Sequence, residues 1–395
     1  MHLAIVGPYP PNITGISQYG YHVSQSLAQS GVFSQVTVLT GRPALTRAVD
    51  VPFPIQVKYA WEPEQLNAAG TIIGCLRDVK PDLVWFNLGT SIFGRLPLAN
   101  LSGLLTPLLA RQLGFPTIVT LHELVALADL RTLNAPGGRL APYGARLLTQ
   151  IALQADVVCL TMRRYTEWLA THRPNLQYVY IPIGAYHKPE ILSENQSGSL
   201  LFFTTLAPFK GLEILLEAFH LLRADYPQLS LTIAGAQHAR FPAYAQQMKS
   251  LVENVPGIRW LGEVPEEQVR TLFQQAQLVV LPYAASTGSS SVLYQAATWG
   301  RAIIASDLPE TRAVASESGL EINFFQSGSA ADLQAQLKTL LEAPALGHQQ
   351  AQHNFNAIQH NRPEDICHAY LHAFNLALET HSSLQRIKIP VLENI

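Results

Sequence analysis

Cysteine is scarce in this 395-residue chain: Cys75, Cys159 and Cys367 stand far apart in apolar surroundings. That excludes a disulfide framework and a cysteine-based metal centre, and leaves three small hydrophobes. Charge is sparse too, 14% of residues against 48% hydrophobic, a balance that builds a core and excludes disorder. No uninterrupted apolar run approaches the ~20 residues of a membrane span. The opening MHLAIVGPYP lacks a basic n-region and a small-residue cleavage site, so it reads as a strand rather than a signal peptide, and a cytoplasmic protein is expected. A net charge of −2 argues against nucleic acid as a partner. That total hides an asymmetry: residues 1–190 carry 14 Lys/Arg and 10 Asp/Glu, the remaining 205 carry 12 and 18. The first half is therefore expected to meet anything anionic.

What the chain does have is strands followed by glycine- and serine-rich loops and helices. The clearest case is LPYAASTGSSSVLYQAATWG, Leu281 to Gly300. An apolar run ends at Pro282, small polar residues follow to Ser291, and Val292, Leu293, Ala296 and Ala297 recur at helical spacing. Such a turn aims backbone N–H groups and a helix dipole at one spot, the natural guest being a diphosphate, although helix capping alone explains such a loop equally well.

Earlier, His2–Val6 reads as a strand, Gly7–Gly15 as a loop, and Ser17 as the cap of a helix carrying Tyr21, Val23 and Leu27. Val36–Thr40 is the next strand, Asp82–Asn87 the third, and Pro116–Leu121 the fourth, ending at His122. Residues at the carboxyl ends of parallel strands face a ligand crevice, which places His122 well, although a satisfied structural histidine is the commoner fate of a lone His. The fingerprint G-x-G-x-x-G is absent. Phe93–Leu113 and Gly137–Leu153 read as helices; Ser91 to Arg173 holds eight Arg and four acidic residues, so a basic, partly apolar face toward a membrane surface is one reading and ordinary packing on the sheet the other. A polar stretch up to Ser199 reads as a linker. Beyond it a second set follows: LLFFTTLAP, a helix after Lys210-Gly211, LSLTIA, Gly257–Gly262, Leu278–Leu281 and AIIAS, with helices at Glu266–Ala276, Leu333–Leu341 and Glu364–Leu378. The expected division is a first domain over 1–184, a linker over 185–199, a second domain over 200–362 and a terminal helix over 363–395.

Taken together, PPNITGISQYGYHVSQSLA, VTLHE, VYIPIG, LAPFKGLEILLEAF, LTIAG, IRWLGEVPEEQVRTLFQQAQLVVLPY and QAATWGRAIIASDLPE resemble, in order and spacing, the family-4 retaining glycosyltransferases of the GT-B fold. The resemblance implies an α/β architecture of two Rossmann-like domains facing across a cleft, with a terminal helix crossing back to the first. It implies a nucleotide-diphosphate sugar as donor, a glycan or lipid-linked acceptor, and no metal or other cofactor; no Asp-x-Asp occurs. Residue by residue, Lys210 matches the lysine on the donor diphosphate, Gly15 and Ile16 the loop approaching the phosphates, and His122 the histidine near the donor sugar. Ser291 and Val292 match the helix start that receives the diphosphate, within the loop Gly288, Ser289 and Ser290. Gln295 stands where the family has the second glutamate of its Glu-x7-Glu motif. The first glutamate is Thr287 here, and the arginine five residues before the lysine is Thr205, so the charged motif is substituted. Rival readings are a catalytically degenerate relative that binds a nucleotide sugar or a partner protein, and an epimerase of the same architecture. His368 and His372 have helical metal-pair spacing, but no nearby Glu or Cys completes a ligand set with convincing spacing.

Overall fold

The computed structural model describes residues 1–43, 53–133, 138–193 and 198–386. Residue 137, positions 194–197 of the expected linker and the tail beyond 386 lie outside these.

The first sheet is built from β1 (His2–Val6), β2 (Gln35–Gly41), β3 (Ile55–Trp61), β4 (Leu83–Leu88), β5 (Thr117–Leu121), β6 (Val157–Leu160) and β7 (Tyr178–Tyr180), in the spatial order β3-β2-β1-β4-β5-β6-β7. All its pairings are parallel. Its helices are α1 (Gly15–Gln29), α2 (Ala68–Val79), α3 (Pro97–Leu104), α4 (Thr106–Gln112), α5 (Ala141–Ala152) and α6 (Arg163–His172). The second sheet comprises β8 (Ser199–Phe203), β9 (Ser230–Ala234), β10 (Ile258–Gly262), β11 (Leu278–Leu281), β12 (Ala302–Ser306) and β13 (Asn323–Phe325), also parallel, in the order β10-β9-β8-β11-β12-β13. Its helices are α7 (Leu212–Arg223), α8 (Tyr244–Val252), α9 (Glu266–Gln274), α10 (Ser291–Thr298), α11 (Pro309–Ser318), α12 (Ala330–Glu342) and α13 (Pro344–Ile358). Both orders reverse beside the first strand of the sheet, and such a switch point opens a crevice outside the strand ends. The α/β class and the pairing of two Rossmann-like domains are as expected.

Three local readings are corrected. Asp82–Asn87 belongs to the fourth strand, because β3 precedes it; Lys58 and Tyr59 make β3 a sheet-edge strand with an outward face, so it lacks the apolar run of a buried one. Phe93–Leu113 holds two helices, with Pro107 in the first turn of the second, since proline donates no backbone hydrogen bond. Ser17 does not cap α1. Thr14 does, its hydroxyl accepting from Ser17 N at 3.1 Å while Thr14 N donates to Ser17 Oγ at 2.7 Å, a reciprocal pair that satisfies two amides at the helix start.

The final helix, α14 (Pro363–Arg386), returns to the first domain and packs on α1, β5 and β6. Tyr370, fully buried, sets its hydroxyl 2.8 Å from both Tyr19 Oη and Thr120 Oγ1. Lower on the helix His381 Nδ1 reaches Asp156 at 3.2 Å; the same carboxylate accepts from Thr117 N at 2.8 Å and Arg111 Nε at 2.8 Å. The buried charge is thus paired and hydrogen-bonded, as burial requires.

Candidate functional site

The cleft has one wall from each domain. On the second-domain wall, β8 leads into a single tight turn, Pro208–Lys210, ended by Gly211 at φ 68°. A Cβ at Gly211 would lie 1.8 Å from the Pro282 carbonyl oxygen, so both the backbone conformation and the close approach demand glycine. Phe209 O accepts from Ala284 N at 2.9 Å, stitching this turn to the loop after β11. Lys210 Nζ is thereby placed 3.7 Å from the centroid of the Tyr283 ring, an attraction between cation and ring face. Among the described residues no carboxylate pairs with Lys210, and burial pulls its amine down to about 8. Arg240, from the loop after β9, donates from Nη2 to the Leu133 carbonyl at 3.0 Å. His238 is driven to about 4, by burial first and then by the charges of Arg240 and Lys210. His238 is thus neutral at neutral pH, and the positive potential on this wall comes from Lys210 and Arg240.

The β11–α10 loop completes it. Ser290 is the N-cap of α10, and its side chain makes no hydrogen bond onto the helix. The amides of the first turn at Ser291 and Val292 are therefore uncapped from within, the arrangement that receives an anion. Val292 and Gln295 are buried in α10, while Ser289, Ser290 and Ser291 are partly exposed. Thr205 lies in the loop after β8, also partly buried.

The first-domain wall holds an uncharged hydrogen-bond network organised by Asn87, the last polar residue of the otherwise apolar β4, with the Glu123 carboxylate next to it accepting from Thr90 N at 3.0 Å. Asn87 Nδ2 donates to the Ile16 carbonyl at 3.0 Å and its Oδ1 lies 2.7 Å from His122 Nε2. A carbonyl can only accept, so the Asn87 amide orientation follows, and His122 must carry its proton on Nε2. Burial holds the His122 imidazole at about 3, which keeps it neutral with a lone pair on Nδ1. Two glycines make room for this hub: a Cβ at Gly7 would lie 2.5 Å from Asn87 O, and one at Gly20 2.7 Å from Asn87 Nδ2. Gly15, by contrast, opens α1 with nothing within 4 Å of its Cβ position. Its space is not used by the protein itself.

The two walls touch where the loop after β5 meets the loop before α10. Glu123 pairs with Gly288 as an isolated antiparallel bridge, and a Cβ at Gly288 would lie 2.1 Å from His122 O. Tyr165 Oη donates to Thr287 O at 2.6 Å, and Arg164 Nη1 reaches Glu310 at 2.7 Å nearby. The structure thus brings His122, Thr287 and Gly288 together and, separately, Lys210 with the start of the β11–α10 loop. Lys210 and His122 stand on opposite walls with no hydrogen bond between them. Asn87, Arg240 and Tyr165 were not singled out from the sequence. The one available signal was a polar Asn closing LVWFN, at a strand end that faces the crevice. His368 and His372 are both exposed on α14 and gather no third ligand among the described residues.

Residues 14–184 match the glycosyl transferase 4-like domain family and residues 197–343 the family of glycosyl transferases group 1. A phosphatidyl-myo-inositol mannosyltransferase of Propionibacterium freudenreichii is 28% identical over 137 residues, covering 34% of this chain and 32% of that protein, so the chain matches about a third of this curated relative's length. Sucrose-phosphate synthase from Thermosynechococcus elongatus superposes with a TM-score of 0.68 at 15% identity, covering 98% of this chain and 99% of that one. Anabaena HepE in complex with UDP and glucose gives a TM-score of 0.68 at 14% identity, covering 95% and 99%.

Proposed function

The chain belongs to the group 1 glycosyl transferases of the GT-B fold, and from that premise we propose that it moves a hexose from a nucleotide-diphosphate sugar to an acceptor hydroxyl with retention of configuration. The observation that carries this reading is Lys210, a half-buried cation facing the cleft with no carboxylate partner among the described residues. A cation so placed lacks its counter-charge until an anion binds. The donor diphosphate supplies that charge, with Arg240 and the uncapped amides at Ser291 and Val292 as its other partners. Arg240 thereby offers the second cation that Thr205 does not. Gln295 is assigned the ribose hydroxyls, as in the resemblance, and Gly15 and Ile16 the approach to the phosphates. His122, neutral and protonated on Nε2, offers Nδ1 as acceptor to a hydroxyl of the donor sugar, which orients C1 toward the acceptor.

In the step itself the bond from C1 to the leaving diphosphate breaks and a bond from C1 to the acceptor oxygen forms on the same face. The acceptor proton passes to a diphosphate oxygen. The residues contribute positioning and stabilisation of the negative charge developing on the leaving group. Because that charge is met by protein groups, turnover is expected to persist in EDTA.

A membrane-adjacent acceptor is also part of the proposal. On α5 and the turn before it Leu140, Tyr143 and Leu147 are 73%, 68% and 55% exposed beside Arg139 and Arg146, the mixture of an interfacial helix. Among the described residues no helix is long and apolar enough to cross a membrane. The second reading, a relative that binds a nucleotide sugar without transferring it, rests on Thr287, which supplies no carboxylate and whose carbonyl is engaged by Tyr165.

Calorimetric titration with UDP-, GDP- and ADP-sugars, followed by donor turnover with and without candidate acceptors, tests both. Saturable binding of one nucleotide with turnover to a product of retained anomeric configuration is expected. Binding without turnover selects the second reading, and no binding by any of them refutes both.

A further inference from the structure

Where the domains meet away from these loops, three ligating side chains arrive from three separate parts of the chain. His22 comes from α1, His187 from the segment between the two sheets, and Glu266 from the first turn of α9. Glu266 Oε1 lies 3.1 Å from His22 Nε2 and 3.5 Å from His187 Nε2, and the three ligand atoms all fall within 4.8 Å of one another. In a tetrahedral zinc site with bonds of about 2.0–2.1 Å, neighbouring ligand atoms stand roughly 3.3 Å apart. Both carboxylate–imidazole separations fall beside that value.

The second observation is what these atoms lack. His22 is 9% exposed, and its Nε2 is buried without a hydrogen-bond partner although a carboxylate oxygen is 3.1 Å away; the contact is close but is not aligned as a hydrogen bond. The rings are held in place from the other side. Tyr186 stacks on His22 with centroids 4.6 Å apart at 16°, and His187 sits between His22 at 4.9 Å and Trp299 at 5.3 Å. Ligands fixed in this way have little orientation left to lose on binding an ion.

We propose that His22, His187 and Glu266 bind one Zn²⁺ ion, with solvent as the fourth ligand, and that the ion ties the first domain, the connecting segment and the second domain together at their junction. Two imidazole nitrogens and one carboxylate form a borderline donor set suited to zinc rather than to magnesium or calcium. The role is structural, and it stands whether or not the transfer reading above holds.

The test uses the full chain stripped with chelator and titrated with Co²⁺, whose visible absorption distinguishes tetrahedral from octahedral coordination, and then with Zn²⁺ in competition. One ion per chain with tetrahedral bands, displaced by Zn²⁺, and a melting temperature raised by Zn²⁺ are expected. His187→Gln, at a partly exposed position, and Glu266→Gln should each weaken Co²⁺ at least about tenfold, while the double change His368→Gln with His372→Gln leaves it unchanged. Absence of saturable Co²⁺ binding, or binding with the same spectrum and affinity in both the His187→Gln and Glu266→Gln proteins, overturns the proposal.

Discussion

The two walls of the cleft work by different physics. The second-domain wall is cationic: Lys210, Arg240 and the start of α10 concentrate positive potential in a half-buried place. Around His122 the first-domain wall is instead an uncharged hydrogen-bond network running from Ile16 through Asn87 to His122. Yet over the whole chain the charges run the other way, since the first 190 residues hold more basic than acidic groups and the rest more acidic than basic. Net charge by half and the proposed donor-diphosphate site therefore point to different walls. What matters is where a few cations are desolvated, because a charge in a partly dry cleft acts more strongly than several in water.

The contrast can be broken most severely at Lys210. Lys210→Ala is expected to cost about 10²–10³-fold in turnover, in the range found when a group stabilising transition-state charge is removed, and to weaken nucleotide binding measured by calorimetry. An unchanged Kd would show that the cationic wall is not the anion site. Next is the contact between the walls. Gly288→Ala forces a methyl group against His122 O, an overpacking worth about 1–3 kcal/mol, so small-angle scattering should report an expanded molecule and melting should occur earlier; an unmoved scattering profile would mean the contact does not hold the walls together. Asn87→Ala leaves the His122 N–H and the Ile16 carbonyl without partners, costing about 1–3 kcal/mol of stability. Loss of this uncharged network should lower kcat while leaving nucleotide Kd within about twofold, and a Kd change as large as that of Lys210→Ala would erase the distinction between the walls. The mildest test is pH. With its amine held at about 8 in the free protein, Lys210 is charged below that value and loses its proton above it, while a bound diphosphate favours the charged form. Affinity should be flat below about pH 8 and fall above it by up to about tenfold, or ~1.4 kcal/mol, per pH unit. A flat profile through pH 9.5 would exclude Lys210 as the titrating partner.

Much of this was legible in the chain. The central strands are continuous apolar runs, and β1, β4, β5, β11 and β12 stand where such runs place them. Edge and late elements were not: β3 alternates around Lys58, β13 has three residues, and α11 and α13 are rich in small and polar residues with weak helical periodicity. In the cleft, the β11–α10 loop was visible because glycine and serine mark a strand-to-helix turn, whereas Lys210 was singled out only through the family resemblance. Arg240 was not, because it sits in a loop with no spacing of its own and acquires its place only when the chain after β9 folds across Leu206. Asn87 was invisible as a hub for a related reason. Its partners lie 71 and 35 residues away in sequence, and only the crossing order of the sheet makes them neighbours.

The return of α14 has a consequence for how the protein is made. Tyr370 supplies the hydrogen-bonding partner of Tyr19 and Thr120, and Trp85 packs against its ring at 4.7 Å between centroids. Everything else in that domain has left the ribosome by about residue 184, but this last piece follows nearly 200 residues later, roughly 10–40 s at ordinary elongation rates. Through that interval the first sheet has an apolar face waiting for a helix not yet synthesised. The nascent chain must therefore keep that face from neighbouring polypeptides until α14 is synthesised and covers it.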